Sequence, residues 1–131
     1  MKNYIYVLVL LVFCFSCKSK DISAIEKAEV ISLAGTSWVE KGQISALPEV
    51  YFENKIKFKD KKNATITYWN TARTPASYSH TYKQDGLKAT LYQSEIRPMY
   101  EIKIKSNNVL EFVSLDYPNS VHLYTRVTSE K

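Results

Sequence analysis

Two histidines, His80 and His122, and two cysteines, Cys14 and Cys17, are the residues of this chain best suited to nucleophilic attack, proton transfer or metal ligation. They do not cluster. No spacing of His, Cys, Asp and Glu forms a zinc set or a calcium loop, and three glycines in 131 residues leave little material for a phosphate cradle. A nucleophilic triad needs a serine or cysteine beside a histidine that is held in turn by an acid. Ser79 adjoins His80, but neighbours along a strand point to opposite faces, so adjacency argues against contact. The expectation is a protein that is not an enzyme and carries no metal or cofactor.

The stronger chemical signal is a polar aromatic row. Tyr78, His80 and Tyr82 recur at every second position, and Tyr68 falls on the inner face of the preceding segment. Buried tyrosines must place their hydroxyls against partners. Such a row is either a tyrosine network within a core or the polar wall of a small cavity, which makes Tyr68, Tyr78, His80 and Tyr82 the candidate ligand-binding residues. A second set, Trp69, Tyr92 and Tyr124, is expected to face outward and would suit a protein contact, since aromatics are enriched in interface cores.

The elements that must position these side chains are read from alternation. Residues 52–59 run Phe-Glu-Asn-Lys-Ile-Lys-Phe-Lys, a period of two with Phe52, Ile56 and Phe58 on one face and Lys55, Lys57 and Lys59 on the other. Trp38 anchors the first strand, and this tract belongs to the second, at about 50–59. Further strands are expected at 64–71, 76–84, 87–93 and 100–105. A seventh places Leu110 and Phe112 on one face, and a last at 121–127 directs Leu123 inward, with His122, Tyr124 and Arg126 on the opposite parity. Ala72 to Pro75 and Arg97-Pro98 read as connections. Asp85-Gly86, Asn107-Asn108 and residues 116–120 read as turns. About eight short strands in sequence suit an all-β antiparallel meander, closed as a small barrel or left as a strongly curved sheet. A flatter sheet covered by an N-terminal helix is the alternative.

The N-terminus stands apart. Lys2 precedes an apolar run from Tyr4 to Phe15 that Lys18 and Lys20 end, the form of an export signal and shorter than the roughly 20 residues of a membrane span. Within it Ser16-Cys17, preceded by Cys14-Phe15, resembles a bacterial lipoprotein signal of the looser Bacteroidetes type. That resemblance implies cleavage before Cys17, acylation of its thiol, and a lipid-anchored place in the cell envelope at the outer membrane. The chain then divides into a signal at 1–16, a tether with a short helix at 17–32, a β domain at 33–128 and a tail at 129–131. The formal charge of +5 is dispersed among alternating acids and lysines, so a nucleic-acid partner is not expected.

The segments Leu33-Ala34-Gly35-Thr36-Ser37-Trp38, the hairpin around Asp85-Gly86, Asn107 to Phe112, and Leu123-Tyr124-Thr125-Arg126-Val127 together resemble the small lipocalin-like domains of exported bacterial lipoproteins. By that resemblance Trp38 sits at a closed barrel end beneath Arg126, and the pair is structural. Gly35 and Trp38 are here separated by two residues, where lipocalins have one. Two functions fit: a non-enzymatic, lipid-anchored envelope protein that takes up a small apolar or aromatic ligand, or a protein-binding envelope factor with an assembly, inhibitor or immunity role.

Overall fold

The computed structural model describes residues 30–128. The expected signal, Cys17, nearly all of the tether and helix, and the tail lie outside the described residues. Among the described residues the chain forms eight strands: β1 Ser37–Ile44, β2 Leu47–Phe58, β3 Asn63–Asn70, β4 Arg73–Asp85, β5 Lys88–Ser94, β6 Arg97–Ser106, β7 Val109–Ser114 and β8 Val121–Arg126. Each pairs antiparallel with the next, and β8 returns to β1 to close the barrel. Closure removes both sheet edges, which a flat meander of this length would leave open to other chains.

Turn chemistry sets the hairpins. Gly86, at φ 57°, is the first of two residues linking β4 to β5, and among the described residues only glycines have positive φ, so this loop fits the type II′ turn whose twist matches its strands. Gly35, at φ 78°, is the third residue of a turn closed by the Thr36 amide on the Leu33 carbonyl at 3.0 Å.

Two segments read as breaks are strand. Pro75 lies within β4 and Pro98 within β6. The β3–β4 register shifts between Tyr68 and Asn70, leaving Thr74 and Pro75 opposite Trp69, and the β5–β6 register shifts around Tyr92. At a bulge the ladder does not require every amide, so proline is tolerated.

Inward residues fill the barrel from one end to mid-height. Leu33, Trp38, Ile56, Phe58, Ile66, Leu91, Ile102 and Leu110 are fully buried, with Phe112 and Tyr124 beside them. Each such side chain contributes roughly 1.5–3 kcal/mol through lost contact with water. The last strand corrects the expected facing: Leu123 is 58% exposed and Tyr124 1%. Register with β7 decides this, because Leu110 pairs with Tyr124 and Phe112 with His122, and cross-strand partners share a face. Leu87, the first residue of the strand expected at 87–93, sits instead in the β4–β5 turn and is exposed.

The closed end is a hydrogen-bonded plug. Trp38 Nε1 donates to Thr36 Oγ1 at 2.8 Å, and that hydroxyl donates to the Leu33 carbonyl at 2.6 Å. The Arg126 guanidinium lies 5.9 Å from the centroid of the Trp38 ring, and the two residues are register partners across the β1–β8 seam. Gln84 holds the incoming segment, accepting from Leu33 N at 3.0 Å and donating to the Ile31 carbonyl at 2.6 Å.

Candidate functional site

The β1–β8 seam is short. Its register covers only Trp38 with Arg126 and Val39 with Thr125, whereas β1 pairs with β2 from Ser37 to Ile44. Beyond Val39 the barrel wall is joined by side chains instead. Glu40 follows Trp38 by two positions and so points inward; His122 precedes Tyr124 by two and does the same. His122 Nδ1 lies 2.8 Å from Glu40 Oε1, and Asn54 Nδ2 donates to Glu40 Oε2 at 3.1 Å. His122 Nε2 in turn lies 2.9 Å from Ser120 Oγ. This polar chain forms the rim of the barrel's open end.

Beside it is a cavity of about 450 Å³, lined in part by Phe52, Tyr68, Trp69, Arg73, Tyr78 and His122. The size and the four aromatic rings in the walls suit a small molecule with an apolar body. Asn54, Asn70, Thr74 and His122 bring polar groups to it, and Arg73 adds a cation.

The four residues singled out on β3 and β4 are not brought together. Tyr68 and Tyr78 meet edge to face at the cavity, with centroids 6.0 Å apart. His80 lies deeper, 9% exposed, with its ring edge-on to Tyr100 at 5.6 Å. Tyr82 belongs to the opposite end: it packs on Phe58 at 4.9 Å and donates to the Asp60 carbonyl at 2.7 Å. Residues two apart on a strand share a face but are separated by about 6.6 Å along it, so Tyr78 and Tyr82 stand about 13 Å apart. A common parity does not make a common site.

Burial sets the protonation of this interior. Desolvation raises the Tyr68 hydroxyl far above the ordinary tyrosine value, helped by the Tyr100 hydroxyl 3.5 Å away. Tyr124 is raised by desolvation and then by the negative charge of Glu40. Desolvation lowers His80, against a smaller opposing effect of a backbone hydrogen bond at Tyr92, and its Nδ1 is buried without a partner. A neutral imidazole is the form that suits such a position.

The outward aromatic set is also revised. Tyr124 is buried inside the barrel, its ring tilted against Phe112 at 5.4 Å, while Trp69 reaches the cavity rim and Tyr92 lies under Lys83 Nζ at 5.6 Å. Among the described residues no three His, Cys, Asp or Glu side chains are grouped to hold a metal ion. No helix among them is long and apolar enough to cross a membrane.

Glu40 and Asn54 are not singled out by the sequence, although each stands at an apolar-parity position, and His122 is expected from it on the outward parity of the last strand. A charged or amide residue two places from Trp38, or between Phe52 and Ile56, is the signal that could have found them. Comparison with protein-family models, with characterised proteins and with solved structures finds no match. The fold itself is an eight-stranded antiparallel meander closed as a barrel, consistent with a lipocalin-like architecture.

Proposed function

We propose that this is a binding protein of the bacterial cell envelope, held at the outer membrane by an acylated Cys17, which takes a small apolar or aromatic molecule into the open end of its barrel. The observation that carries the reading is the asymmetry of the interior. One end is packed and plugged by Trp38 and Thr36, whereas the other opens on a cavity walled by Phe52, Tyr68, Trp69 and Tyr78. Aromatic rings contribute contact area with little conformational entropy to lose, and Asn70 and Arg73 in the lining offer a ligand head group polar partners. The lipid anchor is supported by Ser16-Cys17 at the end of the apolar run.

A second reading rests on a different surface. Leu115, Tyr117, Val121 and Leu123 are exposed around the β7–β8 turn, and they favour a protein partner in the envelope. Native mass spectrometry of the protein extracted from its own envelope separates the two. The ligand reading expects a bound species of small-molecule mass, lost when Tyr78 is replaced by alanine. A partner of protein mass with no small molecule would overturn it in favour of the second reading, and a chain lacking an acyl group on Cys17 would overturn the anchor.

A further inference from the structure

Ligand binding does not require the order of groups found at the mouth. Ser120 Oγ stands on one nitrogen of His122 at 2.9 Å, and Glu40 stands on the other at 2.8 Å. Glu40 is itself held by Asn54 and its side chain is 15% exposed. An ionised carboxylate can only accept, so the proton between Glu40 and a neutral His122 belongs to Nδ1. Nε2 is then bare and accepts the Ser120 hydroxyl proton. A hydroxyl, an imidazole in this tautomer and a carboxylate, joined in this order, are the parts of an activated serine nucleophile.

We propose that Ser120 and His122 are catalytic residues of an esterase site, with Glu40 as the positioning residue, acting on carboxylic esters whose aromatic or short apolar group occupies the neighbouring cavity. The chain builds the site from strand geometry. Ser120 and His122 are two apart at the entry to β8 and share a side, while the Ser120 amide is tied to the Tyr117 carbonyl at 3.0 Å, which fixes the turn. Ser120 is exposed, as a nucleophile must be, and His122 lines the cavity.

In the first step Ser120 Oγ bonds to the ester carbonyl carbon as its proton passes to His122 Nε2. Collapse of the tetrahedral intermediate breaks the bond to the leaving oxygen, which departs with that proton as an alcohol or phenol and leaves an acyl group on Ser120. Water then attacks the acyl carbon, giving its proton to Nε2, and the carboxylic acid leaves as Ser120 regains its hydrogen. The net change is ester plus water to acid plus alcohol, with no redox step. Arg73 is a cation lining the same cavity as His122, and a cation beside a reacting carbonyl offsets developing negative charge. Because the rim is open to water, which weakens such stabilisation, activated aryl esters are the expected substrates and amides are not.

The test treats the full-length protein with a fluorophosphonate, maps the adduct by peptide mass spectrometry, and follows hydrolysis of p-nitrophenyl butyrate. The expected result is loss of fluoride and a phosphonyl group on Ser120, with both reactions abolished in Ser120→Ala. His122→Gln should slow labelling by about 10²-fold or more, the scale of general-base assistance. Glu40→Gln should lower kcat without raising KM, which a merely structural loss would not do. Labelling of folded protein at other residues only, no labelling, or equal ester hydrolysis by Ser120→Ala would overturn the assignment.

Discussion

Replacing Thr36 by valine deletes one hydroxyl at nearly constant volume and so probes the plugged end without opening a cavity. Thr36 is 6% exposed and Trp38 is 0%, so water cannot substitute for the hydroxyl there. In the variant the Trp38 indole N–H loses its acceptor, at 2.8 Å in the wild type, and remains buried. The Leu33 carbonyl loses a donor at 2.6 Å but keeps the Thr36 amide at 3.0 Å, so only one group is orphaned. An orphaned donor costs about 1–3 kcal/mol and the second lost bond about 1 kcal/mol, giving roughly 2–4 kcal/mol of destabilisation. With a urea m-value of about 1.5 kcal/mol/M, the unfolding midpoint followed by far-ultraviolet circular dichroism should fall by about 2 M. Thr36→Ser keeps the hydroxyl and should stay within about 1 kcal/mol of wild type. A valine variant within about 0.5 kcal/mol of wild type, at unchanged m, would refute the claim that this hydroxyl holds the closed end.

Two further perturbations bear on the interior and the mouth. His80 is held below its ordinary value of 6.5, so on acidification the unfolded chain takes up its proton first. The associated stability is full above that value and is lost as pH falls through the lowered folded value. His80→Leu should flatten the decline in urea midpoint between about pH 7 and about pH 5, and equal slopes for the two proteins would disprove the assignment. Asp60, lowered from 3.8 first by its Asn63 side-chain bond and then by backbone amides, acts below this window and should not confuse it. At Gly42 an added Cβ would lie 2.7 Å from the far end of the Phe52 ring, which must swing relative to the cavity it lines. Gly42→Ala should therefore cost only about 0.5–1.5 kcal/mol while weakening an aromatic probe such as anilinonaphthalene sulfonate several-fold. Unchanged probe affinity would place its site elsewhere.

The mouth and the plug differ in how far local sequence reveals them. Trp38, Ile56, Phe58, Ile102 and Ile104 face inward as their alternation requires, because a strand with one apolar parity has a single favourable way to lie on a core. At β8 the rule gives no unique answer. Val121 and Leu123 are apolar on one parity and Tyr124 is amphipathic on the other, so hydropathy favours the wrong face. Cross-strand pairing of Tyr124 with Leu110 settles it. Pro75 and Pro98 likewise read as breaks until bulges are known, since a missing amide matters only where the ladder would use it.

By itself the sequence determined a meander of short antiparallel strands, the turn at Gly86, and most of the residues that line the barrel, all of which depend on contacts between near neighbours in the chain. Only the tertiary structure decided that Tyr82 leaves the aromatic row for the closed end, and that Glu40 meets His122 across 82 residues. Parity fixes which face a side chain takes, whereas its height in the barrel and its partner across the seam follow from closure. No local pattern carries that information, because the last strand finds the first only when all the registers between them are set.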